Sequence, residues 1–154
     1  MISGLFHGGI TVDDMERSLR FYRDGLGLEV ASDRIANESY LYRVLEVATR
    51  SSVRIVYLRM RQTSAFIELL EFLGEDSSPK RSEPTDPGAG HLSLYVDGLE
   101  DLHRRLSDQG YRYRGSGPVL ITAGPNRGAK AVYFHDPDGY LIELFEAAKA
   151  EALG

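Results

Sequence analysis

Four side chains in this sequence have the types and spacing to bind a metal ion: His7, Glu68, His91 and Glu143. Each glutamate stands in a near-copy of one string, I-E-L-L-E at residues 67–71 and I-E-L-F-E at residues 142–146. Each histidine opens another, H-G-G-I-T-V-D-D-M-E from His7 and H-L-S-L-Y-V-D-G-L-E from His91. In both, the histidine lies six residues before an aspartate and nine before a glutamate. Imidazole and carboxylate are good ligands for first-row divalent ions such as Ni, Co, Mn, Zn or Fe(II). Two carboxylates neutralise such an ion's charge, and an octahedral ion held by four ligands keeps two positions for water or two adjacent substrate oxygens. Taken alone, a strand histidine is more often structural and a strand glutamate usually faces water. The matching of all four across two copies argues for a shared metal site.

The repeat extends to the elements that must position these groups. After His7, Ile10 and Val12 fall on the opposite strand face, and after His91 so do Leu92, Leu94 and Val96; Gly9 and Thr11, or Ser93 and Tyr95, share the histidine's face. A helix is predicted next in each half, with Asp13 and Glu16, or Asp97 and Glu100, at capping-box spacing. Apolar residues recur at Met15, Leu19, Tyr22 and Leu26, and at Leu99, Leu102 and Leu106, with Gly25 and Gly110 as C-terminal stops. Three strands are predicted to follow, at 28–35, 53–60 and 65–72 in the first half and at 111–114, 129–134 and 140–145 in the second. The fold class expected is therefore α+β, two tandem βαβββ modules. The module at 1–73, a Pro- and Gly-rich linker at 74–90 and the module at 91–146 are expected to make one domain. Residues 37–52, with a short helix near 41–47, have no counterpart in the second half.

Other candidates carry less chemistry. Glu71 and Glu146 repeat as well, but lie on the opposite strand face and read as strand-end surface residues. His103 falls on a helix and His135 in a turn, both as structural or solvated groups. H-D-P-D-G at 135–139 reads as a β-turn, and G-P-N-R-G at 124–128 precedes a strand rather than opening a helix, so it is no phosphate loop. That loop offers Arg127 or Asn126 to a substrate. A chain of 154 residues buries a core without disulfides, and with no cysteine any metal must be held by nitrogen and oxygen. The net charge of -5 argues against nucleic acid as a partner. Neither a signal peptide nor a long apolar run is seen, so a cytoplasmic protein that does not enter a membrane is expected.

The motifs H-G-G-I-T-V-D-D with F-Y-R-D-G-L-G-L-E, H-L-S-L-Y-V-D, and Y-F-H-D-P-D-G-Y-L-I-E-L-F-E together resemble the vicinal oxygen chelate superfamily. This group includes glyoxalase I, methylmalonyl-CoA epimerase, extradiol dioxygenases, and fosfomycin and bleomycin resistance proteins. The resemblance implies paired modules forming a curled mixed sheet around a divalent metal ligated by His7, Glu68, His91 and Glu143, and a homodimer. The ligand set is similar to that of bacterial glyoxalase I. Epimerases of the group typically carry glutamine where Glu68 stands, and extradiol dioxygenases use two histidines and one carboxylate.

The function the resemblance implies is that of a metal-dependent lyase or isomerase, abstracting a proton alpha to a carbonyl through a metal-chelated enolate. Glu143 and Glu68 are then the proton-carrying residues, on opposite faces of the substrate. Tyr95, Phe66, Phe145 and Arg127 are the expected substrate contacts, with segment 37–52 reshaping the pocket mouth. Two rival readings are an Fe(II) extradiol dioxygenase and a non-catalytic antibiotic-binding resistance protein.

Overall fold

A computed structural model describes residues 1–47, 52–74 and 82–148. The chain divides into two compact units, Met1–Pro79 and Lys80–Gly154. In the first, β1 (His7–Thr11) leads into α1 (Met15–Leu19), which continues as a π-helical segment, Arg20–Gly25. Then come β2 (Glu29–Ala36), α2 (Ser39–Leu45), β3 (Val53–Arg59) and β4 (Phe66–Phe72). The second has β5 (His91–Tyr95), α3 (Leu99–Asp108), β6 (Val119–Leu120), β7 (Lys130–His135) and β8 (Leu141–Glu146). Each unit carries its own four-stranded mixed sheet, ordered β1-β4-β3-β2 and β5-β8-β7-β6. The expected α+β class with tandem βαβββ modules is the architecture found.

The shared strand order has one consequence for chemistry. In both sheets the first strand pairs in parallel with the last, His7 opposite Phe66 and His91 opposite Leu141. A glutamate two residues further along the last strand then lies on the histidine's face. On the reverse face, alternation buries Ile67 and Leu69 in one unit and Ile142 and Leu144 in the other. The helical segments supply Met15, Leu19, Phe21 and Tyr22, or Leu99 and Leu106, all essentially solvent-free. Each such side chain contributes roughly 1.5–3 kcal/mol by burial, so the strands that carry the histidines and glutamates are anchored from behind.

Several local expectations are corrected. The N-cap of α1 is Asp14, not Asp13: its side chain accepts the Arg17 amide at 2.9 Å, while Asp13 forms an ion pair with Arg17. That amide holds the Asp14 carboxyl below its usual value. The cap's contribution is therefore complete above about pH 4 and fades as pH falls through the lowered value. Asp14→Ala is expected to cost ~1 kcal/mol at pH 7, a difference that shrinks in acid when urea unfolding is repeated there. The left-handed residue ending the first helical stretch is Gly27 (φ 76°) rather than Gly25, which is buried within the π-helical segment. Gly110 (φ 85°) does end α3 as expected.

At the start of α3 no capping box forms. The N-cap position is Gly98, and Glu100 instead pairs with Lys130. The missing acceptor comes from Glu146, whose Oε1 takes the amides of Gly98 at 2.7 Å and Leu99 at 3.2 Å. Glu146 is thus a cap delivered from β8 and not a surface residue. Replacing it with alanine is expected to lower the unfolding free energy by about 1 kcal/mol, measured by denaturant unfolding. The strand expected at 111–114 is reduced to a single bridge between Tyr113 and Phe134. Gly115 and Gly117, both at positive φ, turn the chain there, and the paired second strand is the short β6.

The helix expected near 41–47 is α2. Its Leu41 and Tyr42 pack on Ala36, Val53 and Ile55. The stretch 48–51 of this insertion, and 75–81 of the expected linker, lie outside the described residues. No described helix is long and apolar enough to cross a membrane.

Candidate functional site

Each sheet brings one histidine and one glutamate together. In the first unit His7 Nε2 lies 3.2 Å from Glu68 Oε2, and in the second His91 Nε2 lies 3.7 Å from Glu143 Oε2. Both carboxylates are mostly covered, with side-chain exposures of 13% and 17%. The strand register accounts for the match, since Gly9 stands opposite Glu68 and Ser93 opposite Glu143. At Gly9 a Cβ would meet Glu68 Oε2 at 3.5 Å, so the glycine leaves space beside that oxygen. Among the described residues, no group of three or more His, Cys, Asp or Glu side chains stands close enough to hold an ion. The four expected ligands therefore appear as two pairs.

A tyrosine accompanies each pair, which sequence reasoning missed. Tyr57 stands opposite Glu68 across the β3–β4 ladder, and Tyr133 opposite Glu143 across β7–β8. The Tyr57 hydroxyl donates to Glu68 Oε1 at 2.5 Å. The Tyr133 hydroxyl lies 3.4 Å from His91 Nε2. Burial, with the Glu68 carboxylate beside it, pushes the Tyr57 phenol up to about 12. Burial first and Glu143 second also raise Tyr133. Both are protonated at neutral pH, and Tyr57 acts as a donor to the Glu68 carboxylate. A signal was present in the chain: V-Y occurs at Val56 and Tyr57 and again at Val132 and Tyr133.

Around His7 the rings of Phe6 and Tyr57 approach to 4.8 and 5.7 Å, and Phe66 packs on Phe6 and Tyr57. Phe66, an expected substrate contact, is thus part of an aromatic wall beside the first pair. In the second unit Tyr95 and Phe145 stack edge to face at 5.7 Å, and Phe145 shares a strand face with Glu143. Tyr95 projects into solvent. Arg127 remains exposed in its loop, where its amide bonds the Gly124 carbonyl.

The inserted α2 lies on the face of the first sheet that carries His7 and Glu68, because the residues it covers on β3, Val53 and Ile55, share a strand face with Tyr57. Arg34, on the same face of β2, ties this segment down by bonding Glu38 and the Tyr40 hydroxyl.

Of the remaining histidines, His103 packs against Tyr113 and Phe134, and His135 lies 3.4 Å from the Gly139 carbonyl. The expected β-turn closes with Asp136 Oδ1 accepting the amides of Asp138 and Tyr140. A cavity of about 140 Å³ beside this turn is lined by Tyr111, Arg112 and His135 but by none of the four candidate ligands.

The profile of the Glyoxalase/Bleomycin resistance protein/Dioxygenase superfamily matches residues 4–144. The chain belongs to this superfamily. Among superfamily relatives, it is 30% identical over 148 residues to a lactoylglutathione lyase of Salmonella typhimurium, covering 95% of this chain and 94% of that one. An ethylmalonyl-CoA/methylmalonyl-CoA epimerase of Cereibacter sphaeroides is also 30% identical, with coverages of 94% and 98%. A 2-epi-5-epi-valiolone epimerase of an Actinomyces species is 30% identical, with coverages of 90% and 76%. In fold, the chain superimposes on a glyoxalase family protein of Bacillus cereus with a TM-score of 0.81 at 18% identity, covering 96% of each chain. Glyoxalase superfamily members typically use divalent metals and bind small-molecule substrates, and the relatives named here are lyases and epimerases.

Proposed function

We propose that this protein is a divalent-metal-dependent lyase or isomerase of the glyoxalase and epimerase type, abstracting a proton alpha to a carbonyl of a small-molecule substrate. The observation that carries the reading is the twinned pair, a histidine and a glutamate at the same register position in each module. His7, Glu68, His91 and Glu143 are the proposed ligands of one Ni, Co, Mn, Zn or Fe ion. The donor set fits: adjacent donors around an octahedral ion with ~2.1 Å bonds lie about 3.0 Å apart, close to the 3.2 Å of the first pair. The second pair, at 3.7 Å, is slightly wider.

When bound, the ion supplies the positive charge that lowers the energy of an enolate. The protein's own groups do the rest. His7 and His91 donate neutral nitrogen, so the site's negative charge resides on the two carboxylates. Glu143, beside the half-buried ring of Phe145, takes the proton from the carbon alpha to the carbonyl. Return of that proton to the neighbouring carbon completes an isomerisation; inversion of the centre instead takes a separate proton carried by Glu68 to the opposite face of the same carbon, leaving Glu143 protonated and Glu68 ionised. Phe66, Tyr95 and Phe145 offer apolar contact to the substrate body, and Arg127 a cation at its edge. The protein is proposed to act in the cytoplasm as a homodimer, with neither nucleic acid nor membrane as partner.

The test is solvent exchange. Metal-loaded protein incubated in D2O with a panel of small hydroxy- and ketocarbonyl compounds is expected to place deuterium on the alpha carbon of one of them, followed by proton NMR. Oxygen uptake with catechols and no deuterium incorporation contradicts the proposal.

A further inference from the structure

The two oxygens of the Glu68 carboxylate are engaged differently. Oε2 faces His7 Nε2 at 3.2 Å, while Oε1 accepts the hydroxyl of Tyr57 at 2.5 Å. Tyr57 is well placed to fix an orientation: it is Glu68's direct cross-strand neighbour, and its ring lies within 6 Å of those of Phe6, His7 and Phe66. A phenol so held has little rotational freedom, so its hydroxyl defines where Oε1 must sit. Because the carboxylate is planar, Oε2 is then directed toward His7. The second module places Tyr133 at the same register position, but there the hydroxyl lies against His91 at 3.4 Å. The carboxylates are therefore braced unequally.

We propose that Tyr57 is a positioning residue, whose hydroxyl presents Glu68 Oε2 as a preset ligand beside His7. This rests on the metal-site reading above. A hydrogen bond from behind a ligating carboxylate orients it and tunes it, and loss of such a partner typically weakens metal binding by 10–100-fold. The competing view is that the Tyr57–Glu68 bond only strengthens the sheet as a cross-strand pair. The two differ in what they couple to: a sheet brace changes unfolding alone, whereas a positioning group changes ion binding through Glu68.

The experiment is a double-mutant cycle read by metal affinity, using Co(II) alone as the probe. Wild type, Tyr57→Phe, Glu68→Gln, the double variant and Tyr133→Phe are titrated against a competing chelator, with the Co(II) absorption spectrum recorded at saturation. Phenylalanine keeps the ring, so any change belongs to the hydroxyl. Tyr57→Phe is expected to lose about ten-fold in affinity or more and to shift the spectrum, Tyr133→Phe to lose less, and Tyr57→Phe to add little once Glu68 is glutamine. If Tyr57→Phe destabilises the fold, Tyr57→Leu supplies a second variant without the hydroxyl, with the same loss expected. Wild-type affinity and spectrum in the Tyr57 variants, with affinity still reduced in Glu68→Gln, overturn the role of Tyr57 and leave the metal site standing. No effect of Glu68→Gln overturns the metal-site reading itself.

Discussion

Glu143→Gln is expected to stop proton transfer while leaving the fold intact. The substitution keeps the side chain's length and one oxygen that can still face an ion, but removes the charge that makes the group a base. Loss of a positioned general base typically costs about 10²–10⁴-fold in rate, so deuterium incorporation from D2O should fall by that factor. The fold is spared because the residues flanking Glu143 on the reverse face, Ile142 and Leu144, hold β8 in the core independently of the carboxylate. Affinity for the ion should weaken, since a neutral amide replaces an anionic donor, but saturating metal should not restore the rate. A variant whose rate recovers in excess metal would show Glu143 to be a ligand only.

Removing either imidazole is expected to have its largest effect on metal binding. His7→Ala and His91→Ala each delete one of only two nitrogen donors in the proposed set. Because outer partners of metal ligands alone account for 10–100-fold, loss of a ligand should cost on the order of 100-fold or more in affinity, measured by chelator competition. The twinned geometry makes a sharper demand than either variant alone: both must lose affinity, because each histidine holds the same place relative to its glutamate. A large loss for one and none for the other would mean that a single His–Glu pair binds the ion. The aromatic wall makes a larger substitution at His7 less informative, since Phe6 and Tyr57 both pack against that ring.

The match of His7 with His91 and of Glu68 with Glu143, on the first and last strands of two like modules, was readable because strand alternation and repetition are written residue by residue. That the first strand lies beside the last, which sets each histidine against its own module's glutamate, is a matter of strand order and came only with the structure. Features set by contacts between distant segments were not readable. Nothing near Gly98 announces that its amide is satisfied by Glu146, so the local D-x-x-E spacing suggested a box that does not form. At α1 the same spacing misled by one residue because two aspartates compete for the cap and Asp14 wins it. The stretch 111–114 alternates like a strand, but Gly115 and Gly117 turn the chain after a single bridge. Tyr57 and Tyr133 were overlooked for another reason: tyrosine in a strand is ordinary, and only the register places these two opposite the glutamates.

The central claim is that both His–Glu pairs serve one divalent ion, and stoichiometry tests it most directly. Purified protein, stripped with chelator and titrated with Ni(II) or Co(II) by equilibrium dialysis, should bind one ion per chain. That binding should be lost alike in the double variants His7→Ala with Glu68→Gln and His91→Ala with Glu143→Gln. Ion content in both double variants equal to that of the wild type would contradict it.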